Sequence, residues 1–198
     1  MRVFHREHAG RPVRVTWMLE EIGEPYDIAR ITSEEGKGEE HLGRHPLGRV
    51  PVLETDDGNL FESGAICLHL ADTHPDCGLL PPVGTRDRAL VYQWAFFAPA
   101  ELEPRLIAAA KDASGDPERA AASRARFVDA VGAVSRGLGS NDYLVAGHLT
   151  VADVLVGTAL AFTAKAGLDD VLPANLKDYV ARLGERPAFQ RAVAQTHG

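Results

Sequence analysis

A chain of 198 residues holds one domain or two small ones, and at this size folding buries roughly 70% of the unfolded surface without disulfide staples. The formal net charge is −7 with acids and bases interspersed, which argues against a nucleic-acid partner and leaves no polybasic patch for an anionic membrane. Cys67 and Cys77 form no C-x-x-C pattern, and with neither a secretory stretch nor a long apolar run the expected compartment is the reducing cytoplasm, with no membrane association.

Taken in order, Arg2 to His5 is predicted to be a first strand. Pro12 suits the first position of a helix, where its missing N–H is no loss, and Val15, Met18, Leu19 and Ile22 recur at helical spacing until Gly23 closes it. Tyr26 to Ile31 follows as a second strand, giving a βαβ unit with a right-handed crossover. Ser33 to Arg44 is rich in Gly and Glu and is expected to be mobile, with a short helix over Glu39 to Gly43. Val50-Pro51 sets a proline at the start of a buried strand, and Asp57-Gly58 between two apolar runs signals a tight hairpin. Glu62-Ser63 then opens a helix that runs from Gly64 to Thr73.

Pro75, Gly78, Pro81, Pro82 and Gly84 mark a linker, and no strand pattern recurs beyond it. Thr85 caps a long helix predicted to bend near Pro99 and Pro104, and Asp116-Pro117 opens another that reaches Arg136. Thr150-Val-Ala-Asp153 is a capping-box variant leading the most apolar helix of the chain, Val151 to Ala164. Asp153 is read as a structural cap worth about 0.5–2 kcal/mol, not as a catalytic acid. Helices from Ala174 to Leu183 and Pro187 to Gln195 complete the chain. Of eight histidines, His5 with His8 and His41 with His45 invite a metal reading, but they lack matched acidic or thiol partners. They are expected on the solvated surface, with no metal site.

Val50-Pro51 and Glu62-Ser63, at their spacing, resemble the glutathione-binding half of the cytosolic glutathione S-transferase family, bacterial type. The resemblance covers nearly the whole chain. It implies an α/β thioredoxin-like N-terminal domain over 1–75, a linker over 76–85 and an all-α helical domain over 86–198. It implies glutathione as co-substrate, with Val50, beside a cis Pro51, pairing backbone to backbone with the cysteinyl part. Ser63 would hold the γ-glutamyl carboxylate and Glu62 its ammonium, while Lys37 and Arg49 are candidates for the glycyl carboxylate. Glu62-Ser63 read without the family is a plain helix cap.

Glutathione reacts as its thiolate, and lowering a thiol pKa from near 8.5 by about two units needs roughly 2.7 kcal/mol of preference for the anion. A helix N-terminus plus one polar or cationic group supplies that, and the family places a Tyr, Ser or Cys just after the first strand. This sequence departs from the pattern. No Ser, Cys or Tyr occurs between Met1 and Thr16, and Ala9-Gly10 stands where a serine usually does. The candidates for thiol activation are Arg11 with the backbone N–H groups of Gly10 and Arg11, and His8 behind them.

The second substrate, a small apolar electrophile, is expected in the cleft between domains, with Phe96 and Phe97 as wall or core. A homodimer is implied by the resemblance. The expected function is thiolate conjugation or related processing of that electrophile. The alternatives are a non-catalytic glutathione transferase-like binding or scaffold protein, and a glutathione-dependent reductase or isomerase on the same fold.

Overall fold

Parallel neighbouring strands need a long crossover, and the chain supplies it with a helix. β1 (Arg2–His5) lies parallel to β2 (Asp27–Arg30), and α1 (Pro12–Ile22) joins them. The computed structural model describes residues 1–7 and 10–197, and it divides into two units, Met1–Leu80 with Gly184–Gly198, and Pro81–Leu183.

In the first unit β3 (Val52–Thr55) runs antiparallel to β1, and β4 (Gly58–Phe61) antiparallel to β3, giving the sheet order β2-β1-β3-β4. Pro12 opens α1, and Gly23, in the left-handed region at φ 82°, ends it. The short helix α2 (Glu39–Arg44) precedes β3, and α3 (Ser63–Thr73) follows β4 and packs on α1. Val3, Phe4, Val15, Trp17, Met18, Leu19, Leu53 and Ile66 form the core between sheet and helices. This is the predicted thioredoxin-like order of elements. One detail differs: the two-residue hairpin turn is Asp56-Asp57, and Gly58 is the first residue of β4, paired with Thr55 at φ 121°.

The last helix, α9 (Pro187–His197), was expected with the helical domain over 86–198 but packs on α1. The Phe189 ring meets Trp17 edge-on at 4.8 Å, and Arg186 grips Glu21 with two parallel bonds of 2.7 and 2.9 Å. Trp17 Nε1 donates to the same Glu21 carboxylate at 2.8 Å, and Arg191 pairs with Glu20 at 2.6 Å. A spacing-based reading sees only an amphipathic helix; which surface accepts its apolar face is a tertiary matter.

The second unit is helical. α4 (Arg86–Phe97) is capped by the Thr85 hydroxyl, which accepts the Arg88 N–H at 3.2 Å. Near Pro99 the chain widens into a π-turn over Ala98–Leu102 before α5 (Glu103–Asp112), which is the predicted bend. Among α6 (Pro117–Leu138), α7 (Val151–Lys165) and α8 (Ala174–Gly184), α7 is the most buried. Asp153 is fully buried at its start and accepts four bonds: Thr150 N–H at 2.8 Å, Thr150 hydroxyl at 2.9 Å, Leu144 N–H at 2.9 Å and Tyr179 hydroxyl at 2.9 Å. Burial pushes its carboxyl up while those donors pull it down, and the Tyr179 hydroxyl is pushed well above its ordinary range by burial and by Asp153. Asp153 thus ties a loop, a helix start and α8 together, as a structural residue.

Candidate functional site

The sheet register sets three chain exits side by side. Val52 pairs with Phe4 on one flank and with Phe61 on the other, so the residues after β1, before β3 and after β4 all leave the same end of the sheet. That end carries Gly10 and Arg11 at the start of α1, Val50 and Pro51 before β3, and Glu62 and Ser63 at the start of α3. Six of the predicted site residues are therefore brought together. His8 lies outside the described residues.

The Val50-Pro51 peptide bond is cis. Val50 is half-buried, and neither its N–H nor its C=O takes a partner among the described residues. An unpaired donor and acceptor on one residue at the margin of a sheet can accept an extended peptide backbone. The turn before it is tightly held: Gly48 N–H donates to His45 O at 2.9 Å, and a Cβ on Gly48 would lie 2.2 Å from the Gly36 carbonyl oxygen. Gly48 also sits at φ 61°, so both crowding and conformation demand glycine there.

Ser63 is buried, and its Oγ accepts from Arg14 Nη1 at 3.3 Å. Arg14 is 1% exposed, a cation enclosed beneath the start of α3. Glu62 is exposed at φ 69° and ψ 109°, a conformation that costs a non-glycine residue about 1–3 kcal/mol and that clusters at ligand sites. Its carboxylate caps no helix N–H, so the plain-cap alternative for Glu62-Ser63 does not describe this turn. A carboxylate at the rim, a hydroxyl and helix N–H groups behind it, and a cation below suit a ligand carrying both an ammonium and a carboxylate.

Arg11 stands at the N-cap position of α1, half-buried, without a side-chain cap bond, and the first turn carries no acid to compete with an incoming anion. Gly10 and Arg11 spend their carbonyls on the N–H groups of Val13 and Arg14, at 3.3 and 3.1 Å. Lys37 is exposed at the end of a 3-10 turn (Glu35–Lys37) whose Gly36 abuts Gly48, and exposed Arg49 adjoins Val50. In the second unit Phe96 is exposed, whereas Phe97 is half-buried against Trp94, their rings 5.4 Å apart.

The surface reading of the histidines is corrected. His5, His41 and His45 are 1%, 2% and 3% exposed, and an imidazole can serve as a flat, mostly apolar body. His41 packs on Phe4 at 5.7 Å and His45 on Phe61 at 4.9 Å. Their spacing gave no warning, since α2 is too short to show a periodic apolar face. Arg14 was likewise missed, although its place inside the apolar run Val13 to Leu19 was a usable signal. Among the described residues no group of three His, Cys, Asp or Glu side chains could hold a metal.

Cys67 is fully buried, its thiol donates to Arg14 O at 3.7 Å, and burial pushes its pKa to about 12. It cannot act as a nucleophile there. A hollow of about 430 Å³ opens at the far end of the sheet, where Arg2 pairs with Asp27 and Glu54, and Asp56 and Asp57 add to its acidic lining. It is the wrong sign for an anion and lies away from Val50.

The chain is similar to known proteins in both sequence and fold. The glutathione S-transferase N-terminal domain profile matches residues 1–72. Glutathione S-transferase 1 of Zea mays is 31% identical over 195 residues, covering 91% of this chain and 90% of that protein. Elongation factor 1-gamma of Prunus avium is 35% identical over 132 residues, 64% of this chain but only 31% of that longer protein. Among solved structures, a sphingomonad glutathione S-transferase complexed with glutathione superposes with a TM-score of 0.85 at 26% identity, covering 98% of both chains. No helix among the described residues is long and apolar enough to cross a membrane.

Proposed function

The chain belongs to the glutathione S-transferase family, and we propose that it binds glutathione at the Val50, Glu62 and Ser63 end of the sheet and delivers its thiolate to a small apolar electrophile. The observation that carries this reading is the uncommitted backbone of Val50 set by register beside the Glu62-Ser63 helix start. The Val50 N–H and C=O take the cysteinyl backbone, as a strand edge takes a peptide. The γ-glutamyl carboxylate lies on the N-terminus of α3 and the Ser63 hydroxyl, with Arg14 behind, and the ammonium faces Glu62. Lys37 and Arg49 flank the glycyl end.

So oriented, the cysteinyl sulfur points toward the start of α1. The helix dipole and the Arg11 guanidinium favour the anion there, in place of the Tyr, Ser or Cys that the segment Met1 to Thr16 lacks. The thiolate then attacks the electrophilic carbon, and the sulfur–carbon bond forms as the leaving group departs with its electron pair. Proximity supplies most of the acceleration. On this reading the protein works in the cytoplasm as a homodimer in detoxification chemistry.

The experiment follows the ultraviolet absorbance of bound glutathione thiolate as pH rises. A midpoint well below that of free glutathione supports thiol activation, and Arg11→Ala should return it toward the free value. An unshifted midpoint in the wild type favours the second reading, a glutathione-binding scaffold without transferase activity. The match to elongation factor 1-gamma and the missing hydroxyl or thiol before Thr16 favour that alternative. A reductase using a protein thiol is disfavoured because neither Cys67, which is buried, nor Cys77 falls in the activating position after the first strand.

A further inference from the structure

Two buried imidazoles stand behind the turn that delivers Val50. His41 Nε2 bonds the Arg49 carbonyl at 2.9 Å, and since a carbonyl only accepts, that nitrogen carries the proton. The other ring nitrogen, His41 Nδ1, is buried and without a hydrogen-bond partner among the described residues. His45 Nδ1 accepts the Leu47 N–H at 3.1 Å, so that nitrogen is unprotonated. The same turn is closed by Gly48 N–H on His45 O and by the contact of Gly48 with Gly36. Of these bonds, the one from the Leu47 N–H requires a neutral imidazole, because its acceptor is the lone pair of His45 Nδ1.

We propose that His41 and His45 are positioning residues of the glutathione site, imidazole struts that hold the backbone of Val50 in its ligand-ready place, and that protonating His45 releases the turn and weakens glutathione binding. This inference rests on the glutathione reading above. A proton on His45 Nδ1 would face the Leu47 N–H, donor against donor, and the bond is lost. The charged and titratable groups facing His45 are Glu62 from the start of α3, His41 from α2 and Arg49 from the turn itself. Glu62 favours the cation, whereas burial, His41 and Arg49 oppose it, and the balance leaves His45 titrating below its ordinary value. A group with a lowered basic pKa stays neutral through physiological pH and gains its proton only in acid. Binding is therefore intact near neutrality and lost as pH falls through that lowered value.

Calorimetry with S-methylglutathione tests this without interference from thiol ionisation. The wild type should lose about tenfold in affinity between about pH 8 and the acid end of the His45 titration, the value of one lost hydrogen bond. His45→Ala should bind about tenfold more weakly at pH 8 and show little further acid loss. His45→Asn, whose side-chain oxygen can accept the same N–H two residues on, should rescue binding and abolish the acid loss. A His45→Asn profile that falls like the wild type's, or a His45→Ala affinity equal to the wild type's at both pH values, overturns the proposal. Amide exchange in the unliganded protein separates the two readings. A Leu47 N–H protected at pH 8 and lost on acidification keeps the strut intact even if no chain binds the tripeptide, an outcome that would sink the glutathione reading alone. A Leu47 N–H that exchanges as fast in the wild type as in His45→Ala overturns the strut.

Discussion

At the scale of single residues the site depends on a few groups that cannot be exchanged for near relatives. Ser63 offers its hydroxyl from a buried position with Arg14 behind it, so Ser63→Ala removes one charge-assisted bond to the ligand carboxylate. The expected cost is about 1.5–3 kcal/mol, or a roughly 10- to 150-fold weaker dissociation constant for glutathione by calorimetry. A change of less than about twofold would remove Ser63 from the site. Gly48→Ala acts on the backbone instead. Its methyl would fall 2.2 Å from Gly36 O at a positive φ, so the turn must shift. Thermal unfolding should show about 1–3 kcal/mol of lost stability, and glutathione should no longer be retained by the protein. An unchanged melting temperature would mean that the turn has slack the geometry does not suggest. The pair Val50-Pro51 with Glu62-Ser63 was legible in the sequence because each half is a contiguous dipeptide. His41, His45 and Arg14 were not, because their roles arise from a ring tilted against Phe4 or Phe61 and a cation folded under another helix.

At the scale of elements, periodicity and punctuation carried the reading where local chemistry decides. Pro12 and Gly23 bracket α1, and Thr85 and Asp116 cap their helices with bonds of 3.2 and 2.9 Å. The Asp57-Gly58 signal found the hairpin but misplaced its turn by one residue, since register is fixed by pairing with β1 as well as by the turn. Asp153 was read as a cap worth at most about 2 kcal/mol, but Leu144 and Tyr179 add donors that no local motif discloses. Asp153→Ala would strand two backbone N–H groups and two buried hydroxyls, so urea unfolding should report about 3–5 kcal/mol of lost stability. A loss near 1 kcal/mol would show that water replaces the carboxylate. The 3-10 turn behind Gly48 carries a pH signature. The Thr32 N–H donates to the Glu35 carboxylate at 2.6 Å and, with the Thr32 side chain beside it, holds the Glu35 carboxyl below its usual range, while the Thr32 hydroxyl accepts the Glu35 N–H at 3.1 Å. A lowered carboxyl pKa contributes stability above the unfolded value and loses it as pH falls through the folded one. Carbon-detected NMR should find Glu35 titrating below the other exposed glutamates, with the amide shifts of residues 32–37 moving at the same midpoint. Coincidence with those glutamates would dissolve the claim.

At the scale of the whole molecule, the two units each hold one of the two tryptophans, Trp17 in the first and Trp94 in the second, and both are buried. This allows each unit to be followed alone, in Trp94→Phe and Trp17→Phe backgrounds. The segment 186–198 returns to the first unit, where Ala188 and Ala192 are buried, Phe189 meets Trp17, and Arg186 forks onto Glu21. Removing it exposes one side of α1 and leaves the partly buried Glu21 carboxylate without its cation. The combined loss is about 3–5 kcal/mol, which for a chain of this size lowers a melting midpoint by about 6–20 °C. The Trp17 signal should therefore melt early in the truncated chain while the Trp94 signal moves by less than half as much. Because α1 also carries Gly10 and Arg11 at its start, the thiolate midpoint of bound glutathione should drift toward that of the free tripeptide in the same protein. A Trp17 transition at the full-length temperature would show that α9 is dispensable to the sheet unit. Equal displacement of both signals would show that the units melt as one cooperative body, so that the stabilisation by α9 belongs to the whole chain.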